Sequence, residues 1–207
     1  APDGGWSDTM ELGPDVGAGS AADNCGFTVA AHGRLALVGA SARAFLFERP
    51  IGELWTLRRV MIPASPSGDL RFVSSAALGD GVALLGTPAD NSSTGAADIF
   101  SRNTDDEWAE PQTLRASDRR GGDRFGSSVA VSGGWAMIGA AARDSASSGV
   151  YVFAKQGNGS WQQIQILTAN DKTPWSFFGS SVAIDGNLAI VGAWSDDMAG
   201  DAAGAAY

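Results

Sequence analysis

A motif that recurs four times constrains this chain more than any other feature. Its clearest copies run from Phe125 to Ala140 (FGSSVAVSGGWAMIGA) and from Phe178 to Ala193 (FGSSVAIDGNLAIVGA), 53 residues apart. A third copy runs from Phe72 to Thr87, and a weaker one from Cys25 to Ala40. A period of about 50 residues indicates a stacked or radial array, because one such unit cannot bury its apolar face alone.

The motif predicts a repeated unit of four short strands. A first strand of small and apolar residues, such as Val129 to Val131, leads through a tight turn into a continuous apolar strand, which we expect to be buried on both faces. The turns have the Gly, Asp and Asn content of short hairpins. They are His32-Gly33, Asp80-Gly81, Gly133-Gly134 and Asp185-Gly186-Asn187. The third strand recurs at Ala44 to Glu48, Ala97 to Ser101 and Val150 to Ala154.

A tryptophan opens the fourth strand of each unit. These residues are Trp6, Trp55, Trp108 and Trp161, and an apolar residue lies six positions after each (Leu12, Met61, Leu114 and Leu167). Because the tryptophans obey the repeat, we expect them to pack between neighbouring sheets and not to bind a ligand.

Short, evenly spaced strands with recurring glycines predict an all-β protein, a β-propeller of about four four-stranded blades. A β-solenoid is the alternative, although its coils usually repeat at shorter intervals. We expect one domain, residues 1–207, with repeats at approximately 6–54, 55–107, 108–160 and 161–207. Segment 6–12 is a candidate to complete the last blade, which lacks its tryptophan strand. Two arrangements stay open: a closed four-bladed ring, and part of a larger ring of, for example, about seven blades.

Composition limits the partners and the chemistry. The net charge of −9 and the pI near 4.4 argue against nucleic acid or an anionic membrane as a partner. No run approaches the roughly 18 apolar residues of a membrane-spanning helix. The single cysteine, Cys25, excludes an internal disulfide framework. Because Cys25 replaces the Phe of the motif, we expect a buried, structural thiol.

The sequence Phe-Gly-Ser-Ser-Val-Ala, followed by Gly-Ala, resembles the FG-GAP repeat of the integrin α-subunit propeller and of many bacterial surface proteins. The resemblance extends over essentially the whole chain and is strongest in Phe125 to Phe153 and Phe178 to Tyr207. It implies a β-propeller that serves adhesion or partner binding in an extracellular, cell-surface or periplasmic setting.

The resemblance is to a branch of the family without calcium. Calcium-binding FG-GAP repeats place a loop of closely spaced Asp and Asn residues between the Val-Ala strand and the Gly-Ala strand, since Ca²⁺ takes about six to eight oxygen ligands. Here that connection is a short turn, of which Asp185-Gly186-Asn187 is the most acidic. This resembles the short-turn, bacterial-type branch, so no cofactor and no metal site is expected.

Candidate ligand-binding residues lie in the loops, which should share one face of the array where they follow the Gly-Ala strands. Trp175 and Trp194 have no counterparts in the other repeats, and a residue that breaks a repeat is a better candidate for binding than one that obeys it. The acidic candidates are Asp90, Asp144, Asp196, Asp197 and Asp201. We interpret these as solvated turn carboxylates. The cluster of the last three is a weak candidate for a cation site.

No catalytic residues are expected. His32 lies in a hairpin turn without an oriented partner in the sequence, and the serines Ser127, Ser128, Ser180 and Ser181 follow the repeat. No nucleophile-elbow motif is present. A basic cluster from Arg115 to Arg124 alternates with Asp118 and Asp123, which predicts a mixed-charge surface loop.

The sequence therefore favours a non-catalytic interaction or adhesion module that presents blade loops to a protein partner. Two alternatives stay open. A carbohydrate-binding propeller predicts exposed aromatic side chains beside Asp or Asn in several blades, and a structural subunit of a larger extracellular or surface assembly predicts further interfaces. An enzyme would need a cluster of unique polar residues at the channel mouth, and the sequence does not show one.

Overall fold

The computed structural model describes residues 12, 24–64, 73–141, 148–170, 175–197, 200 and 203–207. Within these residues the chain forms fifteen β-strands and one short helix, so the prediction of an all-β protein is confirmed. The strands form four antiparallel sheets, each a meander in chain order. Sheets of this kind are the blades of a β-propeller.

Each sheet is a continuous part of the chain. Sheet 1 contains β1 (Thr28–His32), β2 (Leu35–Gly39), β3 (Ala44–Glu48) and β4 (Thr56–Met61). Sheet 2 contains β5 (Ser75–Gly79), β6 (Val82–Thr87), β7 (Ala96–Ser101) and β8 (Gln112–Leu114). Sheet 3 contains β9 (Phe125–Ser132), β10 (Trp135–Ala140), β11 (Gly149–Lys155) and β12 (Trp161–Leu167). Sheet 4 has three described strands, β13 (Phe178–Asp185), β14 (Leu188–Ala193) and β15 (Ala205–Ala206).

The helix α1 (Asp90–Ser93) is a single turn in the loop between β6 and β7. No helix in the described ranges has the length and apolar character needed to cross a membrane.

A glycine of positive φ lies in every hairpin between the first two strands of a sheet, as the sequence predicts. The φ angles of these residues lie between 56° and 67° (Gly33, Gly81, Gly133 and Gly186). Glycine enters this region without steric cost, and the tight turn fixes the register of the two strands.

The sheets stack face to face in chain order, and alternate positions of a strand point to the preceding or the following sheet. In β10, Ala136 and Ile138 pack towards sheet 2, whereas Met137 packs towards sheet 4. Side chains of this kind fill the spaces between sheets 1 and 2, 2 and 3, and 3 and 4 with apolar clusters. The predicted burial of the second strand on both faces is confirmed for β6 and most of β10.

Two of the repeat tryptophans pack between sheets as predicted. Trp108 belongs to the cluster between sheets 1 and 2, and Trp161 to the cluster between sheets 2 and 3. Trp6 lies outside the described residues. Trp108 does not open a strand, however: it forms an isolated bridge with Arg102, and β8 begins later. Pro111 explains the delay, because its missing N–H interrupts the ladder.

A serine and two glycines connect sheet 2 to sheet 3 and sheet 3 to sheet 4. Between sheets 3 and 4, Ser128 Oγ donates a hydrogen bond of 2.6 Å to the Gly179 carbonyl oxygen. Gly139 lies against the same carbonyl, where a Cβ atom would overlap the Gly179 oxygen. The glycine of the Gly-Ala strand thus contacts the glycine of the Phe-Gly pair in the next sheet. The same arrangement recurs between sheets 2 and 3, in Ser75, Gly86 and Gly126.

The row of sheets does not close on itself within the described residues. Strand β5 packs on β1, β9 on β5 and β13 on β9, but sheet 4 makes no comparable contact with sheet 1. The face of β14 that points away from sheet 3 is open, with Leu188 73% and Ile190 53% exposed. The predicted burial of this strand on both faces is therefore wrong, because no sheet covers its second face. The described residues do not form the closed four-bladed alternative.

Cys25 is exposed, contrary to the prediction of a buried thiol. At the same position of the motif, Phe125 and Phe178 are buried in the clusters shared with the preceding sheet. No sheet precedes sheet 1 in the described part of the chain, so the position that points inward elsewhere faces solvent here.

Candidate functional site

The two most exposed tryptophans of the described residues belong to neighbouring loops of sheet 4. Trp175, before β13, is 57% exposed, and Trp194, directly after β14, is 62% exposed. The Ser195 N–H donates to the Ser176 carbonyl oxygen at 3.3 Å and ties the two loops together. The Phe177 ring stacks on Trp194, with ring centroids 4.8 Å apart and an interplanar angle of 19°. We refer to Trp175, Phe177 and Trp194 as the aromatic platform.

The backbone of Trp175 has a conformation that bulky residues seldom adopt. Its φ is +65°, in the left-handed region. The equivalent residue of sheet 3 is Gly122, with φ +91°, and glycine enters this region freely. Phe177 also has a positive φ, but so does its counterpart Arg124, so this conformation belongs to the repeat. Trp175 departs from the repeat, and such a departure points to a functional constraint.

Asp90 and Asp196 occupy equivalent positions, four residues after the glycine of the Gly-Ala strand, and both are buried. Arg115 Nη1 donates to Asp90 Oδ2 at 2.7 Å. The Tyr207 hydroxyl donates to Asp196 Oδ2 at 3.2 Å. The prediction of solvated carboxylates is wrong for these two residues, because a residue outside the loop supplies the partner that a buried carboxylate requires: Arg115 after β8, and Tyr207 after β15.

The other acidic candidates have different positions. Asp197 is exposed, next to Asp196 and three residues from Trp194. Asp144 and Asp201 lie outside the described residues. Within the described ranges, no group of three or more His, Cys, Asp or Glu side chains is arranged to hold a metal ion. A cation site that includes Asp201 therefore stays a prediction.

His32 has a partner that the sequence analysis did not identify. Its Nε2 atom lies 2.9 Å from Asp80 Oδ1, and both side chains are exposed. The contact joins the hairpin turn of sheet 1 to that of sheet 2. The prediction of a turn position for His32 is wrong by one residue, because His32 is the last residue of β1 and the turn begins at Gly33. Its side chain links two sheets.

A fully buried carboxyl group lies in sheet 2. Asp98, in β7, accepts a hydrogen bond of 2.6 Å from the Thr113 hydroxyl at Oδ1, and among the described residues Oδ2 has no hydrogen-bond partner. Burial raises the pKa of Asp98, and the hydrogen bonds from Thr113 and the Ala64 backbone counteract this only in part. Because the carboxyl is closed off from solvent, it cannot contact a ligand.

Sequence reasoning missed two kinds of residue. Phe177 immediately precedes the Phe of the motif, where the other copies have Asn24, Arg71 and Arg124. The criterion that selected the two tryptophans, departure from the repeat, would also have found it. No such signal marks the pairing of Arg115 with Asp90, because the two are distant in sequence and meet only through the path of the loops.

Stacked antiparallel sheets with loops gathered at one end define the class of protein, a propeller-type β repeat protein. The sequence profile of the FG-GAP repeat matches residues 108–153 and 161–207. These two segments are FG-GAP repeats, which confirms the resemblance. Each match starts at a tryptophan, so it spans the fourth strand of one sheet and the strands of the next. No curated protein matches the chain.

Proposed function

We propose that this chain is a non-catalytic interaction module that binds a protein partner through the aromatic platform. The observation that carries the proposal is exposure combined with strain: both tryptophans are more than half exposed, and Trp175 has positive φ where sheet 3 has glycine. Exposed aromatic rings forgo hydrophobic stabilisation, and a strained backbone costs about 1–3 kcal/mol. Burial of these rings against a partner would supply the missing hydrophobic stabilisation and would offset the backbone strain at Trp175.

A protein partner is favoured over a glycan because the platform occurs once. A carbohydrate-binding propeller predicts exposed aromatics in several blades, but Ser41, Pro88 and Ala141 occupy the position of Trp194 in sheets 1 to 3. A few Trp anchors within a polar surround are typical of hot spots in protein interfaces. With Asp197 exposed nearby and a net charge of −9, the complementary surface is one of basic residues around an apolar pocket.

We place this activity outside the cytoplasm, at the cell surface, in a secreted form or in a periplasm, as the resemblance to the FG-GAP family implies. Fractionation of source cells with an antibody against the chain would test this setting. Recovery of the protein in the cytoplasmic fraction would contradict it.

The binding proposal is tested by comparing three proteins as bait for solubilised surface proteins of the source organism. These are the wild-type chain, the double variant Trp175→Ala/Trp194→Ala, and the control Trp135→Ala. Trp135 is an exposed tryptophan at the hairpin end of β10, away from the platform loops. We expect a partner that the wild type and the control retain and the double variant loses. Calorimetry with that purified partner should show a Kd increase of about tenfold or more.

A glycan screen with the same three proteins distinguishes a protein-binding module from a carbohydrate-binding propeller. Binding to a glycan that the double variant loses would support a carbohydrate-binding propeller instead. Equal capture of one partner by the wild type and the double variant would contradict the role of the platform.

A further inference from the structure

Three arginines lie exposed on the loop that leads from β8 into β9. They are Arg119, Arg120 and Arg124, and we call them the arginine patch. Within the described ranges, the salt bridges of arginine engage Arg34, Arg58, Arg59, Arg102 and Arg115. No carboxylate of the described residues forms a salt bridge with the patch. In a chain of net charge −9, one loop thus carries three guanidinium groups that no described carboxylate neutralises.

The two acidic residues of the same loop are bonded to other groups. Asp123 is 3% exposed, and its carboxylate accepts a hydrogen bond from the Arg120 backbone N–H. The Asp118 carboxylate accepts a hydrogen bond of 2.8 Å from the hydroxyl of Tyr151, in β11. The sequence predicts a mixed-charge loop, and the structure separates the two signs. The carboxylates bond to the protein, whereas the arginines are exposed.

The backbone of this loop is held in place by hydrogen bonds. The Arg124 N–H donates to the Ser93 carbonyl oxygen at 2.9 Å, which ties the loop to α1. The Asp123 N–H donates to the Arg120 carbonyl oxygen at 3.3 Å. A loop that is fixed before binding loses little backbone entropy when a ligand binds, so more of the charge attraction remains as binding free energy.

The arginine patch occupies the loop position that carries the aromatic platform in the next sheet. The repeat aligns Arg124 with Phe177, and Gly122 with Trp175, just before the first strand of each sheet. Because β9 and β13 pack on each other, the two loops are neighbours at the same end of the stack. Sheet 3 therefore presents positive charge where sheet 4 presents aromatic rings.

The chemistry of the patch selects an anion, and the charge of the whole chain limits its size. Guanidinium groups form bidentate contacts with carboxylates and phosphates. A long polyanion, such as nucleic acid or a sulfated polysaccharide, would extend beyond the patch over a surface of net charge −9 and be repelled. A short acidic segment of a protein contacts the patch alone, so carboxylate side chains are the favoured ligand.

We propose that the arginine patch binds the carboxylate side chains of an acidic segment in a partner protein. The inference deepens the proposed function and rests on it, since the partner is the protein that contacts the platform. Asp197 is exposed near the platform, so the two neighbouring loops carry opposite charges. A partner with basic residues at the platform and acidic residues at the patch fits in one orientation, because the reverse orientation brings like charges together.

Fluorescence anisotropy of a labelled hexaglutamate peptide tests the proposal, with hexaglutamine as the uncharged control probe. At low ionic strength we expect the wild type to bind hexaglutamate and not hexaglutamine, with an affinity that falls as salt is added. Each of Arg119→Gln, Arg120→Gln and Arg124→Gln should weaken binding about two- to fivefold, as loss of an exposed ion pair does, and the triple variant about tenfold. A wild type that binds neither peptide would overturn the proposal.

Arg49→Gln is the matched control. Arg49 is exposed in the turn between β3 and β4, which lies beside the hairpin of sheet 1 and so at the opposite end of the stack. The substitution changes the net charge by the same amount as each patch variant and should leave peptide binding unchanged. Equal weakening in Arg49→Gln and in the single patch variants would show a response to net charge alone and would contradict a site at the patch.

A heparin hexasaccharide distinguishes the other source of anionic groups. If this sulfated probe binds more tightly than hexaglutamate through the same three arginines, the choice of an acidic protein segment is wrong. The triple variant should keep the thermal unfolding midpoint of the wild type, because its substitutions lie on exposed side chains. If the triple variant is folded and binds hexaglutamate as tightly as the wild type, the patch is not the site.

The variant Trp175→Ala/Trp194→Ala distinguishes failure of this inference from failure of the proposed function. It should bind hexaglutamate like the wild type, because the patch belongs to another loop, whereas the triple arginine variant should retain less of the captured partner. If the platform has no role, the tryptophan variant captures the partner normally and the peptide result is unaffected. If the patch has no role, the peptide result fails and the effect of the tryptophan substitutions on capture remains.

Discussion

Asp98 carries a completely buried carboxyl group, of which only Oδ1 has a hydrogen-bond partner among the described residues. Because burial raises its pKa above the ordinary value of 3.8, the folded state binds this proton more tightly than the unfolded state. The stability that this group contributes is therefore complete below about pH 4 and is lost as the pH rises through the raised pKa.

The substitution Asp98→Asn should remove this penalty. The amide carbonyl can still accept the hydrogen bond from Thr113, and the side chain carries no charge at any pH. We expect the variant to be more stable than the wild type at pH 7 by roughly 1 kcal/mol, with a flatter pH profile. Urea unfolding at pH 4, 6 and 8 measures this, with Asp105→Asn as an exposed control that should change little. A less stable Asp98→Asn at pH 7 would show that the wild-type carboxylate has a partner.

At the scale of the element, the junction glycines decide how closely two sheets approach. A Cβ at Gly139 would overlap the Gly179 carbonyl oxygen and Ser128 Oγ, and the backbone oxygen cannot move without displacing sheet 4. Gly139→Ala should therefore destabilise the protein by about 1–3 kcal/mol, as overpacking does. Gly134→Ala is the control, since a Cβ there lies 3.9 Å from its nearest neighbour. Thermal unfolding compares the two, and an equal loss of stability in both would contradict the role of the junction.

The sequence predicts an element correctly where its residues follow the repeat and its structure depends only on neighbouring residues. The strand Ala44–Glu48 and the glycine turns agree with prediction, because hairpin geometry depends on neighbouring residues. The start of β8 does not agree, since Pro111 interrupts a pattern set by Trp108. The exposure of β14 could not be predicted, because it depends on whether another sheet follows and not on the apolar sequence of the strand itself.

The candidate site follows the same rule. Trp175 and Trp194 were identifiable because they depart from the repeat, although their role in binding is a proposal. The burial of Asp90 and Asp196 was not identifiable, since it depends on Arg115 and Tyr207, which reach them through the three-dimensional path of the loops. Residues that pack by local periodicity can thus be predicted from sequence, whereas long-range polar partners cannot.

At the scale of the whole molecule, the described sheets form a row in which each sheet packs on its neighbours in chain order. The free energy of unfolding of such a row is close to a sum, with one contribution from each sheet and one from each junction between sheets. Sheets 2 and 3 have a junction on both sides. Sheet 4 has one junction and three described strands, and β15 contains only Ala205–Ala206. The two ends of the row therefore differ in stability from its centre.

Hydrogen exchange measured by mass spectrometry should show this gradient. In the dilute chain, amides of β13–β15 should exchange faster than those of β6 and β10, because sheet 4 can open without breaking the central junctions. Uniform protection of all four sheets in the dilute wild type would contradict the gradient, because it would require the two ends to be covered within a single chain.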